Sequence, residues 1–220
     1  MTLRGYKTLI FDCDGVILDS NKVKTQAFFN AALPYGDTAA KALVRYHTAN
    51  GGISRYRKFE YLLAEIVGQG VDQSALQQLL DAYASEVHRG LRECRSAEGL
   101  TDLRKLTQDS RWLVVSGGDQ RELRELFLER RLADLFEGGI FGSPDSKIDI
   151  LQREIESGHI QLPAVFIGDS RYDHVAASHF DMDFVFVRGW SEFEGYAQYC
   201  NQHGLKVVDS LKSLLPGSVA

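Results

Sequence analysis

The chain has 220 residues, of which 44% are hydrophobic and 25% charged, so it carries enough apolar material for a globular core. Its net charge is −5, and Lys and Arg are scattered among Asp and Glu, which argues against nucleic acid as a partner. No stretch is long and apolar enough to span a bilayer, and the N-terminal apolar run ends after Phe11, too early for a signal peptide. Three cysteines without metal-type spacing argue against a disulfide framework or a zinc site, and they fit a reducing cytoplasm.

The first predicted element is a short buried strand, Thr8 to Phe11, which stops at Asp12. From Asn21 to about Arg95 the apolar residues follow a helical spacing instead. Four helices are expected there. The first covers about residues 21–33, and the second runs from an N-cap at Asp37 to Asn50. The third carries the apolar stripe Tyr56, Phe59, Leu63 and Ile66, and the fourth, capped by Asp72, carries the stripe Leu76, Leu79, Leu80, Tyr83 and Val87.

After Arg95 the pattern alternates between strand and helix. A strand at Trp112 to Val115 ends in Ser116-Gly117-Gly118, and Asp119 with Glu122 forms a capping-box signature for the helix that follows. Further strands are expected at residues 139–141, 164–167, 184–187 and, weakly, 207–208. The sequence therefore predicts a doubly wound parallel (Rossmann-like) α/β sheet, with a core of residues 1–16 and 96–220 and an inserted all-helical cap domain of residues 17–95.

The candidate site residues lie at the predicted carboxyl ends of the strands, where open α/β sheets bind ligands. Asp12 and Asp14 are two residues apart after the first strand, so their side chains would lie on the same side. Two bare carboxylates repel, but Mg²⁺ prefers oxygen ligands and would make the pair tolerable. Asp169 and Asp173, after a later strand, could complete the magnesium ligands. A small phosphorylated metabolite is the expected partner.

These residues suggest a mechanism of phosphate ester cleavage. Asp12 would attack phosphorus, and Asp14 would protonate the leaving oxygen and later deprotonate the attacking water. Because a free Asp titrates near pH ~3.9, neighbouring negative charge would have to raise the pKa of Asp14 for it to act as an acid. Lys147 would neutralise the phosphoryl group, and Ser116 with the amides of Gly117 and Gly118 would donate hydrogen bonds to its oxygens.

Four motifs together resemble the haloacid dehalogenase superfamily, in its capped phosphatase branch, which includes phosphoglycolate phosphatase-like and beta-phosphoglucomutase-like proteins. The first motif is residues 11–20, FDCDGVILDS; the second is Ser116, the third Lys147 and the fourth residues 168–173, GDSRYD. The resemblance implies that Asp12 and Asp169 bind magnesium through their side chains and Asp14 partly through its backbone carbonyl, with Asp173 supporting or joining them. Dehalogenases and phosphonate-cleaving relatives lack the second aspartate, which Asp14 supplies here, so the resemblance disfavours both of these activities.

The helical insertion carries the question of substrate specificity. Arg55 stands at a helix start, where a positive charge is unfavourable for the helix dipole, so it indicates a second anionic or polyhydroxyl group on the substrate. The alternative is a solvated surface with Glu60 as the partner of Arg55. A phosphorylated sugar or sugar acid is the preferred substrate class.

Several alternatives stay open at this point. The core motifs do not separate a phosphatase from a phosphosugar mutase of the same superfamily. A phospho-accepting signalling module also combines an acidic cluster with a Lys, but it has no use for Asp14 or for a helical insertion. Lys147 could be an exposed loop residue, Ser116 could satisfy backbone groups and Asp173 could cap the next helix. The assembly is expected to be a monomer or a homodimer.

Overall fold

The computed structural model describes residues 3–217, so the predicted core limits at residues 1 and 220 lie outside it. Across that range the strands form a six-stranded parallel sheet of order β3-β2-β1-β4-β5-β6. The strands are β1 Thr8–Phe11, β2 Arg111–Asp119, β3 Ile140–Ser143, β4 Ala164–Gly168, β5 Asp183–Val187 and β6 Lys206–Val208. This confirms the predicted doubly wound α/β fold class, with β1 at the centre of the sheet.

The register of the three central strands places the candidate site. Phe11, the last residue of β1, lies opposite Val114 of β2 and Ile167 of β4. The amide of Asp12 donates to the carbonyl of Ile167 at 2.9 Å. Because the strands are parallel, the residues after Phe11, Val115 and Gly168 emerge at the same edge of the sheet.

Helices cover both faces of the sheet, so its central strands are buried and read as continuous apolar runs. The helices of the core are α5 Leu100–Leu106, α6 Gln120–Glu129, α7 Lys147–Glu156, α8 Arg171–His179 and α9 Tyr196–Gln202. No helix in the described part of the chain has both the length and the apolar character that crossing a bilayer requires.

The inserted segment is helical and has an apolar core of its own. It contains α1 Asn21–Ala32, α2 Asp37–Ala49, α3 Arg55–Tyr61 and α4 Gln73–Glu93. The chain enters and leaves the segment side by side: the amide of Asp19 donates to the carbonyl of Arg95, and the amide of Ala97 to that of Ile17, at 2.9 and 2.8 Å. We call residues 17–19 and 95–97 the paired linkers, and the segment between them the cap.

Some local details differ from the sequence predictions. Asp72 caps α4 as expected, whereas Asp37 is the first residue of α2, because Gly36 takes the N-cap position at a φ of 99° that favours glycine. The third helix changes to wider π-type turns over Leu62–Val67. β2 continues past Val115 to Asp119, with an irregular register against β3.

Candidate active site

Three buried carboxylates meet at the carboxyl edge of the sheet. Asp12 follows β1 and Asp169 follows β4, and the two strands are neighbours. Asp173 lies in the first turn of α8, where it forms a reciprocal capping box with Ser170. One carboxylate oxygen of each Asp lies within 4.8 Å of those of the other two. Asp173 therefore caps its helix and also belongs to the carboxylate cluster, so its two expected roles do not exclude each other.

Lys147 is the cation of this cluster. It is the first residue of α7 and only 1% exposed, so it is not the solvated loop residue of the alternative. Its Nζ lies 2.9 Å from Oδ1 of Asp12 and 2.5 Å from Oδ1 of Asp173. The capping box of Ser146 and Asp149 begins the helix and so fixes where Lys147 enters the site.

The charges of the cluster are not balanced by Lys147 alone. Burial raises the pKa of Asp12 to about 7; Lys147 opposes this shift, whereas Asp173 and Asp14 add to it. Burial, and then the charges of Asp12 and Asp173, raise the pKa of Asp169 well above its usual value. A divalent cation would remove this repulsion, and three carboxylates within 4.8 Å are ligands that Mg²⁺ prefers. The residues present therefore fit a magnesium ion.

The carboxylate of Asp14 makes contacts apart from that cluster. It accepts hydrogen bonds from Oγ of Ser20 at 2.6 Å and from Nζ of Lys24 at 2.5 Å. Burial raises the pKa of Asp14, but Lys24 and then Ser20 outweigh burial and hold the pKa below its usual value. This reverses the expected direction, because the nearest charge is an ammonium rather than a carboxylate. The expected backbone contact of Asp14 with the metal stays a prediction.

Asn21 and Lys24 are site residues that the sequence analysis missed. The side-chain amide of Asn21 donates to Oδ2 of Asp169 at 2.7 Å and to the carbonyl of Trp190 at 2.9 Å. Asn21 and Lys24 are three positions apart at the start of α1, so they lie on the same helix face. That spacing, directly after the first motif, is the sequence signal that could have found them.

Gly15 allows the loop after β1 to approach Asp169 closely. Its φ of +75° is a left-handed conformation, and a Cβ there would lie 2.1 Å from Oδ2 of Asp169. We expect Gly15→Ala to lower the free energy of unfolding by more than the ~1 kcal/mol that left-handed strain alone costs. Gly158→Ala is the matched control, because Gly158 has a φ of +76° with no atom within 4 Å. Urea denaturation of both variants measures the difference, and equal losses would show that the close approach to Asp169 has no cost.

The end of β2 forms another wall of the site. Ser116 is fully buried, and its Oγ accepts a hydrogen bond from the amide of Gly118 at 3.1 Å. Its hydroxyl thus serves the backbone, as in the alternative, and the phosphate contact stays a prediction. Gly117 lines the cavity, and a Cβ there would lie 2.4 Å from the carbonyl oxygen of Gly52. The cap therefore rests directly on this strand end.

Beside this contact, a cavity of about 870 Å³, open solvent at its mouth included, lies between the cap and the strand ends. Asp12, Asp14 and Asp169 line it from the core. From the cap, its charged and imidazole side chains are Lys24, His47, Arg55 and Lys58. Groups of the core and of the cap therefore line one pocket.

Arg55 lies in this cavity wall, but its charge is already balanced. The side chain is 7% exposed, and its Nη2 lies 2.7 Å from Oε2 of Glu122 and 3.8 Å from Oδ2 of Asp119. Asp119 caps α6 as predicted. Glu122 pairs with Arg55, and the reciprocal half of the predicted capping box is not observed at α6. The alternative of a solvated pair with Glu60 is wrong, because Glu60 pairs with Arg57 instead. Substrate contact by Arg55 stays untested.

Comparison with known proteins identifies the family. The sequence profile of the haloacid dehalogenase-like hydrolase family matches residues 9–187, so the chain belongs to that family. Membership confirms the resemblance stated from the four motifs. No curated protein matches the sequence.

Solved structures share the fold at low sequence identity. A predicted phosphatase from Clostridium acetobutylicum is 20% identical with a TM-score of 0.73, over 95% of this chain and 96% of the other. A haloacid dehalogenase-like hydrolase from Streptococcus pneumoniae is 18% identical with a TM-score of 0.68, over 95% and 97%. A predicted phosphoglycolate phosphatase from Haemophilus somnus is 16% identical with a TM-score of 0.63, over 84% and 87%. At these identities the likeness concerns the fold.

Proposed function

We propose that the protein is a magnesium-dependent phosphatase of small phosphorylated metabolites and acts through an aspartyl-phosphate at Asp12. The observation that carries the proposal is the buried cluster of Asp12, Asp169 and Asp173 with Lys147, of which Asp12 and Asp169 line the cavity under the cap. The cluster supports the proposal because it would bring a nucleophile, a set of metal ligands and a cation for a phosphoryl group together.

Asp12, Asp169 and Asp173 would hold the magnesium ion, with the backbone carbonyl of Asp14. When bound, magnesium supplies Lewis-acid stabilisation of the phosphoryl oxygens. Lys147 keeps the carboxylate of Asp12 oriented and offsets the negative charge of the transferring group. Ser116 and the amide of Gly117 donate hydrogen bonds to the phosphoryl oxygens.

In the chemical steps, an oxygen of Asp12 attacks phosphorus and Asp14 gives its proton to the departing oxygen. Water then attacks the phosphorus of the intermediate and passes a proton back to Asp14. The bond between phosphorus and Asp12 breaks in this step, which releases inorganic phosphate and restores the carboxylate. Lys24 lowers the pKa of Asp14, which favours this second step. A phosphate dianion arriving beside Asp14 acts in the opposite direction and raises its pKa for the first step.

A phosphorylated sugar or sugar acid is the substrate class that the charged and polar lining of the cavity supports. The three cysteines Cys13, Cys94 and Cys200 are free, which supports the cytoplasm as the location. The working assembly is a monomer or a homodimer.

The direct test follows release of inorganic phosphate from p-nitrophenyl phosphate and from a panel of phosphorylated sugars and sugar acids. We expect release with Mg²⁺ and none with a chelator. A mutase would instead isomerise a sugar phosphate while releasing little phosphate, which product analysis by NMR would detect. No magnesium-dependent release from any ester would contradict the proposal.

Magnesium is also expected to stabilise the fold, which gives a test independent of turnover. Because the pKa of Asp12 is raised from 3.8 to about 7, the folded protein holds this proton more tightly than the unfolded chain. The protonated Asp12 therefore contributes fully to stability below pH ~3.8, and this contribution is lost as the pH rises through about 7. Metal binding restores it, and at 100 times the Kd the gain is about 2.7 kcal/mol. The melting temperature should therefore rise with Mg²⁺, and more at pH 8 than at pH 5. Asp169→Asn should abolish the shift, and an unshifted wild type would argue against a metal site.

A further inference from the structure

The other cations of the cavity wall and of the neighbouring carboxylate cluster are paired with carboxylates. Lys24 contacts Asp14, and Lys147 contacts two of the cluster carboxylates. Arg55 contacts Glu122. Lys58, on α3, differs: it is 2% exposed, and none of the ion pairs among residues 3–217 includes it.

The hydrogen-bond partner of Lys58 is His47, whose Nδ1 lies 2.7 Å from the Nζ. Burial, and then the charges of Lys58 and Lys24, lower the pKa of His47 well below its usual value, so the ring is neutral. Its Nδ1 therefore accepts from Lys58, and its Nε2 donates to Oγ1 of Thr25 at 3.1 Å. Thr25 in turn donates to Oε2 of Glu192 at 2.5 Å. This chain of contacts fixes the Lys58 side chain but brings it no carboxylate of its own.

An ammonium in this position is costly to bury. Burial, and then the charge of Lys24, lower the pKa of Lys58 to about 7, although Asp14 and Asp12 oppose the shift. An ammonium has three N–H donors, and within the described residues one of them has a partner, His47. A buried charge without a counter-ion is among the most destabilising features that a fold can carry. An anion entering the cavity would supply both the missing charge and the missing hydrogen-bond acceptors.

We infer that Lys58 is the specificity-determining residue that binds a second anionic group, a carboxylate or a second phosphate, on the phosphorylated substrate. The inference rests on the proposed function and narrows its substrate class. Asp12 and Lys58 line the same cavity from the core and from the cap, so one ligand can present its scissile phosphate to Asp12 and its other anionic end to Lys58. Arg55, the residue expected from sequence for this role, is already neutralised by Glu122.

The test compares binding of esters that differ only in the second group. One pair is 6-phosphogluconate and glucitol 6-phosphate, in which a carboxylate replaces a hydroxymethyl group. The other is fructose 1,6-bisphosphate and fructose 6-phosphate, which tests a second phosphate. Calorimetry with Mg²⁺ uses the Asp12→Asn variant as background, so that no ester is consumed.

At least one of the two pairs is expected to show about tenfold or greater preference for the doubly anionic ester, since one hydrogen bond to a charged group changes affinity by at least about that factor. Lys58→Met, added to the background, should abolish that preference. Lys41→Met is the matched control, because Lys41 is exposed on α2 and pairs with Asp37. Lys58→Gln is a second variant if the first fails to fold.

Equal affinity within both pairs would overturn the inference. So would an equal loss in Lys58→Met for both members of the pair that shows the preference. Phosphate release by the wild type is measured separately. Release without a Lys58-dependent preference would support the proposed phosphatase and refute the role of Lys58. A Lys58-dependent preference without release would support the binding site and refute the phosphatase.

Discussion

Replacing Asp12 by Asn is expected to lower kcat for phosphate release by about 10⁴-fold or more, the scale seen when a catalytic nucleophile is removed. The amide has nearly the shape of the carboxylate but lacks its nucleophilic oxygen. The fold should survive, because Lys147 keeps its contact with Asp173 at 2.5 Å. Stability without metal should even rise at pH 8, since one buried negative charge is removed from a crowded cluster.

Acid quenching during turnover of a ³²P-labelled ester tests the intermediate directly. Labelled phosphoryl groups should remain attached to the wild-type protein and be absent from Asp12→Asn. Asp145→Asn is a suitable control, because Asp145 lies half-exposed on the surface and pairs with Arg153. Undiminished phosphate release from Asp12→Asn would place the nucleophile elsewhere.

The second large effect is expected from Lys147→Met. Removing one partner of a buried charge pair leaves the other uncompensated and costs ~3–5 kcal/mol. Asp12 and Asp173 would both lose their contact with the ammonium, so phosphate release should fall as well. Urea denaturation in the presence of a chelator measures the loss of stability without the metal.

The pH dependence of that loss follows from the carboxylates. Lys147 lowers the pKa of Asp12, so its removal moves the raised value of about 7 still higher. A raised carboxyl pKa leaves stability intact at low pH and removes it as the pH rises through the folded value. The penalty of Lys147→Met should therefore be largest at pH 8 and shrink towards pH 4. Lys105→Met, at an exposed pair with Asp102, should stay within ~0.5 kcal/mol at every pH.

The sheet and the positions of the motifs were predictable from sequence because both are local signals. Short apolar runs that stop at Asp12, Ser116 and Asp169 mark buried parallel strands and their carboxyl ends. In a parallel sheet those ends meet at one edge, so their proximity follows without knowledge of any long-range contact. The family resemblance added the roles of the residues.

Contacts between distant parts of the chain were not predictable in this way. The partner of Arg55 is Glu122, 67 positions away on another helix, whereas the local pattern offered only Glu60. The pairing of Lys24 with Asp14 likewise depends on how α1 leaves the loop after β1. Each case changes the charge of the site, so the electrostatics were predicted less well than the fold.

The paired linkers have a consequence for how such a protein can change over evolution. Residues 17–19 and 95–97 hydrogen-bond to each other, so the inserted segment begins and ends at one point of the core. Its four helices bury an apolar cluster separate from those beside the sheet. A segment with adjacent ends and its own core can be exchanged by recombination as a single block. Recombination could then change substrate recognition while the catalytic residues at the carboxyl edge of the sheet stay the same.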